Sequence, residues 1–419
     1  KDVLTLDMGG TTAKASLIEG GKIAHTDEYE VGGGISLSSR LMKGGGYALR
    51  LPVIDISEVG AGGGSIVRLD RAGMVKVGPD SAGAVPGPAC YGAGGTAPTV
   101  TDANVALGFL DQAALAGGTV AIDAALARRT LEDAVARPLG IGLDEAAWSV
   151  FVVATANMVR AVKAVSTYRG RNPADFALVA FGGNGGVFAA ELMRQLQIRR
   201  ALVPPAAGVL SAVGLCVGDV QFGLSRAFAR RVDGLAPPDL AAALDALEAD
   251  VVARLGARRG EAGIRRSAAM RYHGQAFELP IEVDPGAPDA ASIAALSRRF
   301  EDEHARTYGL RLGFATEIVA LEVTATLADA TGTAARTGGG GAAAAPGAGQ
   351  ARGARRAYFG PAHGALETPV IGRAGLGGQR RRGPLVVEDY EGTTVVPPDA
   401  EAWIDAHGNI VIELVQEAG

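Results

Sequence analysis

The chain has 419 residues, 48% of them hydrophobic, with a mean hydropathy of +0.18. That is enough apolar material for a globular protein with a large core divided over two or three units. A net charge of -5, with both signs spread along the chain, leaves no electrostatic footprint for nucleic acid or an anionic membrane surface, so small-molecule chemistry is the expectation.

Cys90 and Cys216 are the cysteines, far apart and outside any CxxC or Cys/His cluster. They fit a reducing cytosol better than a disulfide framework or a zinc site, and each reads as a small buried apolar residue. No apolar run reaches the length of about 18 residues that spans a bilayer. Leu202 to Leu215 is broken by Pro204, Pro205 and Gly208. The expectation is a soluble, cytoplasmic protein with no membrane or nucleic-acid partner. Lys1 to Leu6 starts abruptly in a strand without an initiator Met or leader pattern, which reads as a cut chain with a domain missing upstream.

In chain order, Asp2 to Leu6 predicts a short buried strand, Asp7 to Thr12 a glycine-rich turn and Lys14 to Ile18 a second strand, followed by the turn Glu19-Gly20-Gly21. A glycine-dominated stretch runs from Val31 to Gly95, with clusters at Gly32 to Gly34, Gly44 to Gly46 and Gly60 to Gly64. These clusters alternate with strand-like segments such as Pro52 to Val59 and Ser65 to Leu69, so they read as loops that bring backbone close to a ligand. Thr99 to Ala136 turns helical, with Thr101, Asp102 and Asn104 supplying cap-type side chains, and a long helix follows from about Leu143 to Tyr168. Asp175 to Phe181, the turn Gly182 to Gly186, the helix Val187 to Leu196 and the strand Ala201 to Val203 form a βαβ unit.

Leu235 to Arg265 predicts an amphipathic helix, Ser267 to Val283 a strand, Ala290 to Thr307 a helix and Glu317 to Leu327 a strand. Thr331 to Arg356, with its Gly/Ala run, reads as a mobile loop or linker. The expected domains are 1–230, an α+β extension 231–335, a linker 336–356 and a β-rich C-terminal module 357–419.

Two constellations carry chemistry. In Asp7-Met8-Gly9-Gly10-Thr11-Thr12 the glycines let backbone amides face a polyphosphate, the threonine hydroxyls can donate to it, and Asp7 can hold Mg²⁺ or orient a water. An ordinary tight turn is the alternative. Phe181-Gly182-Gly183-Asn184-Gly185-Gly186 follows an apolar strand and opens a helix, the setting for a nucleotide on close-packed backbone or for a plain packing turn. It is not a GxGxxG fingerprint, and no acidic residue stands at a suitable strand end about 20 residues on, which disfavours a Rossmann dehydrogenase.

A DxGGT hairpin followed much later by a strand–FGG–helix element resembles the α/β, ribonuclease H-like ATPase fold of sugar kinases, actin and the heat-shock ATPases. The segments "EVGAGGGSIVRLD", "VGPDSAGAVPGPACYGAGGTAPTVTDANVALGFL", "DFALVAFGG" and "ALVPPAAGVLSAVGL" together resemble the hydantoinase A/oxoprolinase family, closely over roughly residues 1 to 225. More loosely the resemblance continues through Arg271 to Gln275, Tyr308-Gly309 and Gly383-Pro384 to Thr393 through Pro398.

The resemblance implies ATP and Mg²⁺ as cofactors. It matches Gly9, Gly10, Thr11 and Thr12, with Asp7 as catalytic and metal-holding residue, to the second phosphate hairpin, and Gly182, Gly183 and Gly185 to the nucleoside-side turn. The family's earlier hairpin, in an upstream domain, has no counterpart here. Substrate-side loops correspond to Gly60 to Ser65 and Ser81 to Asn104. Asp102 and Asn104 are the candidate catalytic residues there, although a helix cap explains Asp102 equally well. Glu58 reads as metal ligand, base or solvated loop carboxylate, the last being favoured.

Many relatives carry a histidine where this chain has Ser57 and another where it has Phe188, so any imidazole pair is absent. Lys14 stands where many relatives have Asp. It reads as a phosphate contact or, more simply, a solvated hairpin lysine. His273 and His304 read as structural. The implied function is ATP-dependent opening of a cyclic amide, a hydantoin or oxoproline-like lactam, with a hydantoinase B-like partner subunit. The rivals are a ketone carboxylase subunit of the acetone or acetophenone type and a catalytically degenerate partner subunit.

Overall fold

The computed structural model describes residues 2–31, 47–257, 260–327 and 351–415. The clusters Gly32 to Gly34 and Gly44 to Gly46, and most of the expected 336–356 linker, lie outside them.

Val3–Met8 alternates cleanly, with Leu4, Leu6 and Met8 fully buried and Val3, Thr5 and Asp7 on the other face. Its partner Ala13–Glu19 continues the pattern with Ala13, Ala15 and Leu17 buried, and the antiparallel register sets Leu6 opposite Ala15 and Asp7 opposite Lys14. On its other side Val3–Met8 pairs in parallel with Ala177–Phe181, which pairs in parallel with Arg200–Val203. The helix Gly185–Leu196 makes the crossover, giving the expected βαβ unit. Ile56–Val59 adds to the free edge of Ala13–Glu19, so that Lys14 faces Glu58 and Ala15 faces Ser57.

The long helix Leu143–Val165 covers this sheet with Ala147, Val150, Phe151, Ala154, Met158 and Val162 turned inward. By length and composition alone, Leu143–Arg169 is long and apolar enough to cross a membrane. Small and branched residues on its inner face pack it as a core helix instead.

Of the expected C-terminal module, Ala351–Tyr358, Ala365–Ile371, Leu385–Glu388 and Thr393–Val396 form a sheet of their own, and the last strands complete the main sheet. Ala400–Ile404 and Ile410–Leu414 extend the main sheet, with Ile410–Leu414 antiparallel to Arg200–Val203. Leu385, Val387, Val396 and Ile410 belong to the same buried cluster as Leu4 and Leu6. The expected linker ends early, because Ala351–Tyr358 is a strand paired with Ala365–Ile371. Short β segments look alike in sequence whether they form their own sheet or complete another, which is why composition could not separate the two cases.

Val220–Arg231, Thr316–Leu327, Gly263–Tyr272 and Leu279–Val283 form an all-antiparallel sheet. Helices Pro237–Leu255 and Ala290–Tyr308 pack on it around a second core containing Leu244, Val251, Tyr272, Phe300 and Val323. Glu19 joins the two bodies by pairing with Arg171 and with Arg306, while Arg171 also pairs with Glu303.

Candidate functional site

The two glycine turns end neighbouring parallel strands, at the carboxyl edge where open α/β sheets bind ligands. Asp7 is the last outward residue of the first strand and Phe181 its partner in register. Gly182 follows with φ +79°, and a Cβ there would stand 2.4 Å from the Met8 carbonyl oxygen and 2.6 Å from Asp7 Oδ1. Only glycine fits, so this turn closes directly against Asp7. The Asn184 N–H donates to the Met8 carbonyl at 3.1 Å, and Ser211 Oγ donates to Asp7 Oδ2 at 3.0 Å.

The phosphate-type hairpin turn is held from one side. The N–H groups of Gly63 and Gly64 donate to the carbonyls of Gly9 and Gly10 at 3.0 and 2.6 Å. Gly62 packs so tightly on the turn that a Cβ would lie 2.5 Å from the Thr11 backbone. In a trans peptide the carbonyl and the following N–H point in opposite directions. Tying down the Gly9 and Gly10 carbonyls therefore turns the Gly10 and Thr11 amides away from the loop. Among the described residues, the amides of Gly10, Thr11 and Thr12 have no hydrogen-bond acceptor. This run of free donors beside a glycine-rich bend is the backbone arrangement that receives an anion.

Lys14 Nζ donates to Thr12 Oγ1 at 2.8 Å and lies 3.3 Å from Glu58 Oε1, with side chains 44% and 32% exposed. A pair this open contributes about 0–1 kcal/mol.

The sequence-predicted residues separate into two groups. Asp7, Gly9, Gly10, Thr11, Thr12, Gly182, Gly183 and Gly185 converge on one edge. Asp102 does not join them. It is fully buried, its Oδ1 accepts from the Cys90 N–H at 2.7 Å, and its Oδ2 accepts from the N–H and hydroxyl of Thr99 and from the Ala89 N–H. It completes a capping box on Val100–Ala106, and with both oxygens so engaged the capping alternative holds in place of a catalytic one. Asn104 is also fully buried, and its amide atoms have no partner among the described residues.

Ser57 and Phe188 are both buried as well, and Phe188 stacks on Phe151 at 4.6 Å. Burial pushes the Cys90 thiol far up, and the neighbouring Asp102 charge adds to it, so Cys90 is no nucleophile. Sequence reasoning missed Ser211, since nothing local distinguishes this serine on Leu210–Val217 and only the tertiary approach brings it to Asp7. Asn184 spans the two loops, with Nδ2 2.7 Å from where a Gly63 Cβ would stand. Its side chain does not cap its own helix.

The sequence profile of the hydantoinase/oxoprolinase family matches residues 1–223. The chain belongs to this family. It is 34% identical over 413 residues to an uncharacterized protein of Methanocaldococcus jannaschii, covering 98% of this chain and 58% of that protein. The caprolactamase subunit alpha of Pseudomonas jessenii is 36% identical over 310 residues, 72% of this chain and 42% of the relative. The acetophenone carboxylase gamma subunit of Aromatoleum aromaticum is 41% identical over 175 residues, 42% of this chain and 24% of the relative. The crystal structure of ATP-dependent caprolactamase from Pseudomonas jessenii superimposes with a TM-score of 0.82 at 30% identity, covering 99% of this chain and 59% of that one. The chain thus spans less than two thirds of the relatives it matches.

The hydantoinase/oxoprolinase fold is the actin- and sugar-kinase-like α/β body. Among the described residues no cluster of three or more His, Cys, Asp or Glu could hold a metal.

Proposed function

We propose that the protein carrying this chain opens a cyclic amide, a hydantoin or 5-oxoproline-like lactam, in an ATP-dependent reaction, and that this chain supplies part of the nucleotide site. The observation that carries the reading is the run of amides at Gly10, Thr11 and Thr12 that have no acceptor among the described residues, set between Asp7 and Lys14. ATP bound there would supply the phosphoryl group that activates an otherwise unreactive amide oxygen. Gly10, Thr11 and Thr12 would hold phosphate oxygens through backbone N–H groups, while Gly182, Gly183 and Gly185 let the nucleoside lie against backbone. Asp7, fixed by Ser211, would hold Mg²⁺. Similarity to the caprolactamase subunit supports a lactam as substrate.

A hydantoinase B-like partner subunit and an upstream domain with a further phosphate hairpin belong to this proposal. So does a cytoplasmic location, with which two free cysteines agree. The second reading is an ATP-dependent ketone carboxylase subunit, favoured by the likeness to the acetophenone carboxylase gamma subunit.

Phosphate release by the full-length protein and its partner, given Mg-ATP, separates the readings. Release that depends on a lactam and not on bicarbonate supports the hydrolase. Release that needs a ketone and bicarbonate moves the assignment to the carboxylase, and none under any condition leaves a degenerate subunit.

A further inference from the structure

Cross-strand register sets three charged side chains in a row at the mouth of the site. Asp7 is directly opposite Lys14, and Lys14 directly opposite Glu58. Opposed residues in an antiparallel pair project from the same face, with Cβ atoms about 5 Å apart. The row therefore runs anion, cation, anion. Asp7 is held by Ser211, whereas Lys14 takes Thr12 Oγ1 and Glu58 as partners. Thr12 ends the run Gly10 to Thr12 whose amides have no acceptor among the described residues, so the ammonium stands at the rim of the anion-receiving arc.

We propose that Lys14 is the phosphate-anchoring cation of this site, parked on Glu58 while the site is free of nucleotide and transferred to a phosphate oxygen when one binds. The proposal rests on the ATP reading above. Three features favour the transfer. The Lys14–Glu58 pair is open to water and weakly held, so leaving it costs little. A polyphosphate carries more charge than one carboxylate and would lie among additional fixed donors. The four-carbon stem of lysine can swing its ammonium over several ångströms without moving the strand. Glu58 keeps the ammonium at the rim, and its charge competes with the incoming phosphate.

The competition gives opposite signs for the two variants. Titration of the full-length protein with the non-hydrolysable analogue adenylyl imidodiphosphate reads affinity directly, independent of turnover. Lys14→Met should weaken binding roughly tenfold, the scale of one lost charge-assisted hydrogen bond. Lys14→Arg should stay within roughly threefold of the parent because the charge remains. Glu58→Gln should tighten binding by roughly two- to fivefold, since Lys14 no longer leaves a charged partner. Thermal melting of each variant accompanies the titration. Lys14→Met binding like the parent, with an unchanged melt, would overturn the proposal. Glu58→Gln weakening binding as much as Lys14→Met would also overturn it, making the pair a structural strut. A parent protein that binds no analogue would remove the ATP reading itself, an outcome distinct from either.

Discussion

Asp7 and Gly182 meet at the ends of adjacent parallel strands, where a Cβ on Gly182 would stand 2.6 Å from Asp7 Oδ1. The distance makes Gly182 a fixed wall of the site. With φ +79° and a backbone oxygen 2.4 Å from the added atom, Gly182→Ala should destabilise the fold by about 1–3 kcal/mol and displace Asp7. Urea unfolding checks the first effect and nucleotide titration the second. A variant as stable and as tight-binding as the parent would contradict the packing described.

Asp102 should behave as a structural residue. Asp102→Ala leaves the Ala89, Cys90 and Thr99 donors without an acceptor in a sealed interior, and the expected loss is about 2–4 kcal/mol. Activity per folded molecule should hold where the fold survives. A large fall in turnover with unchanged melting would make Asp102 a catalytic residue and contradict the structural role.

Thiol titration should be biphasic. Cys216 is exposed and Cys90 buried, and burial together with Asp102 keeps the Cys90 thiol protonated far above neutral pH. One thiol should react rapidly with an aromatic disulfide at pH 8 and the other only on unfolding. Two fast thiols would contradict it.

The contact between the two bodies should weaken in acid. Burial by itself would raise the Glu19 pKa, but the hydrogen bond and charge of Arg306 and then of Arg171 outweigh it and hold the carboxyl below the usual glutamate range. A depressed folded pKa stabilises above the unfolded value and is lost as pH falls through the folded one. Stability should therefore drop as pH falls below the ordinary glutamate range, and Glu19→Gln should flatten that part of the profile. Equal acid slopes for parent and variant would contradict it.

Local signals made the hairpin, the FGG turn and the βαβ crossover legible in the sequence, since strand alternation and glycine placement act within a few residues. The role of Asp102 was ambiguous because a capping box and a catalytic carboxylate use the same residue type at the same position, and only the converging amides of Ala89 and Cys90 decide between them. The Lys14–Glu58 pairing was not legible because Glu58 reaches Lys14 across a strand pairing separated by a long glycine-rich stretch. The approach of Ser211 and the sheet that the last strands join were illegible for the same reason: their partners, Asp7 and Arg200–Val203, are distant in sequence.

The most direct test of the site is Asp7→Asn in the full-length protein with its partner, measured as lactam-stimulated phosphate release from Mg-ATP alongside thermal melting. The expected result is an unchanged melt and a fall in release of roughly a hundredfold or more, the scale of losing one preorganised electrostatic group. Parental release rates from Asp7→Asn would contradict the assignment of this edge as the phosphoryl site.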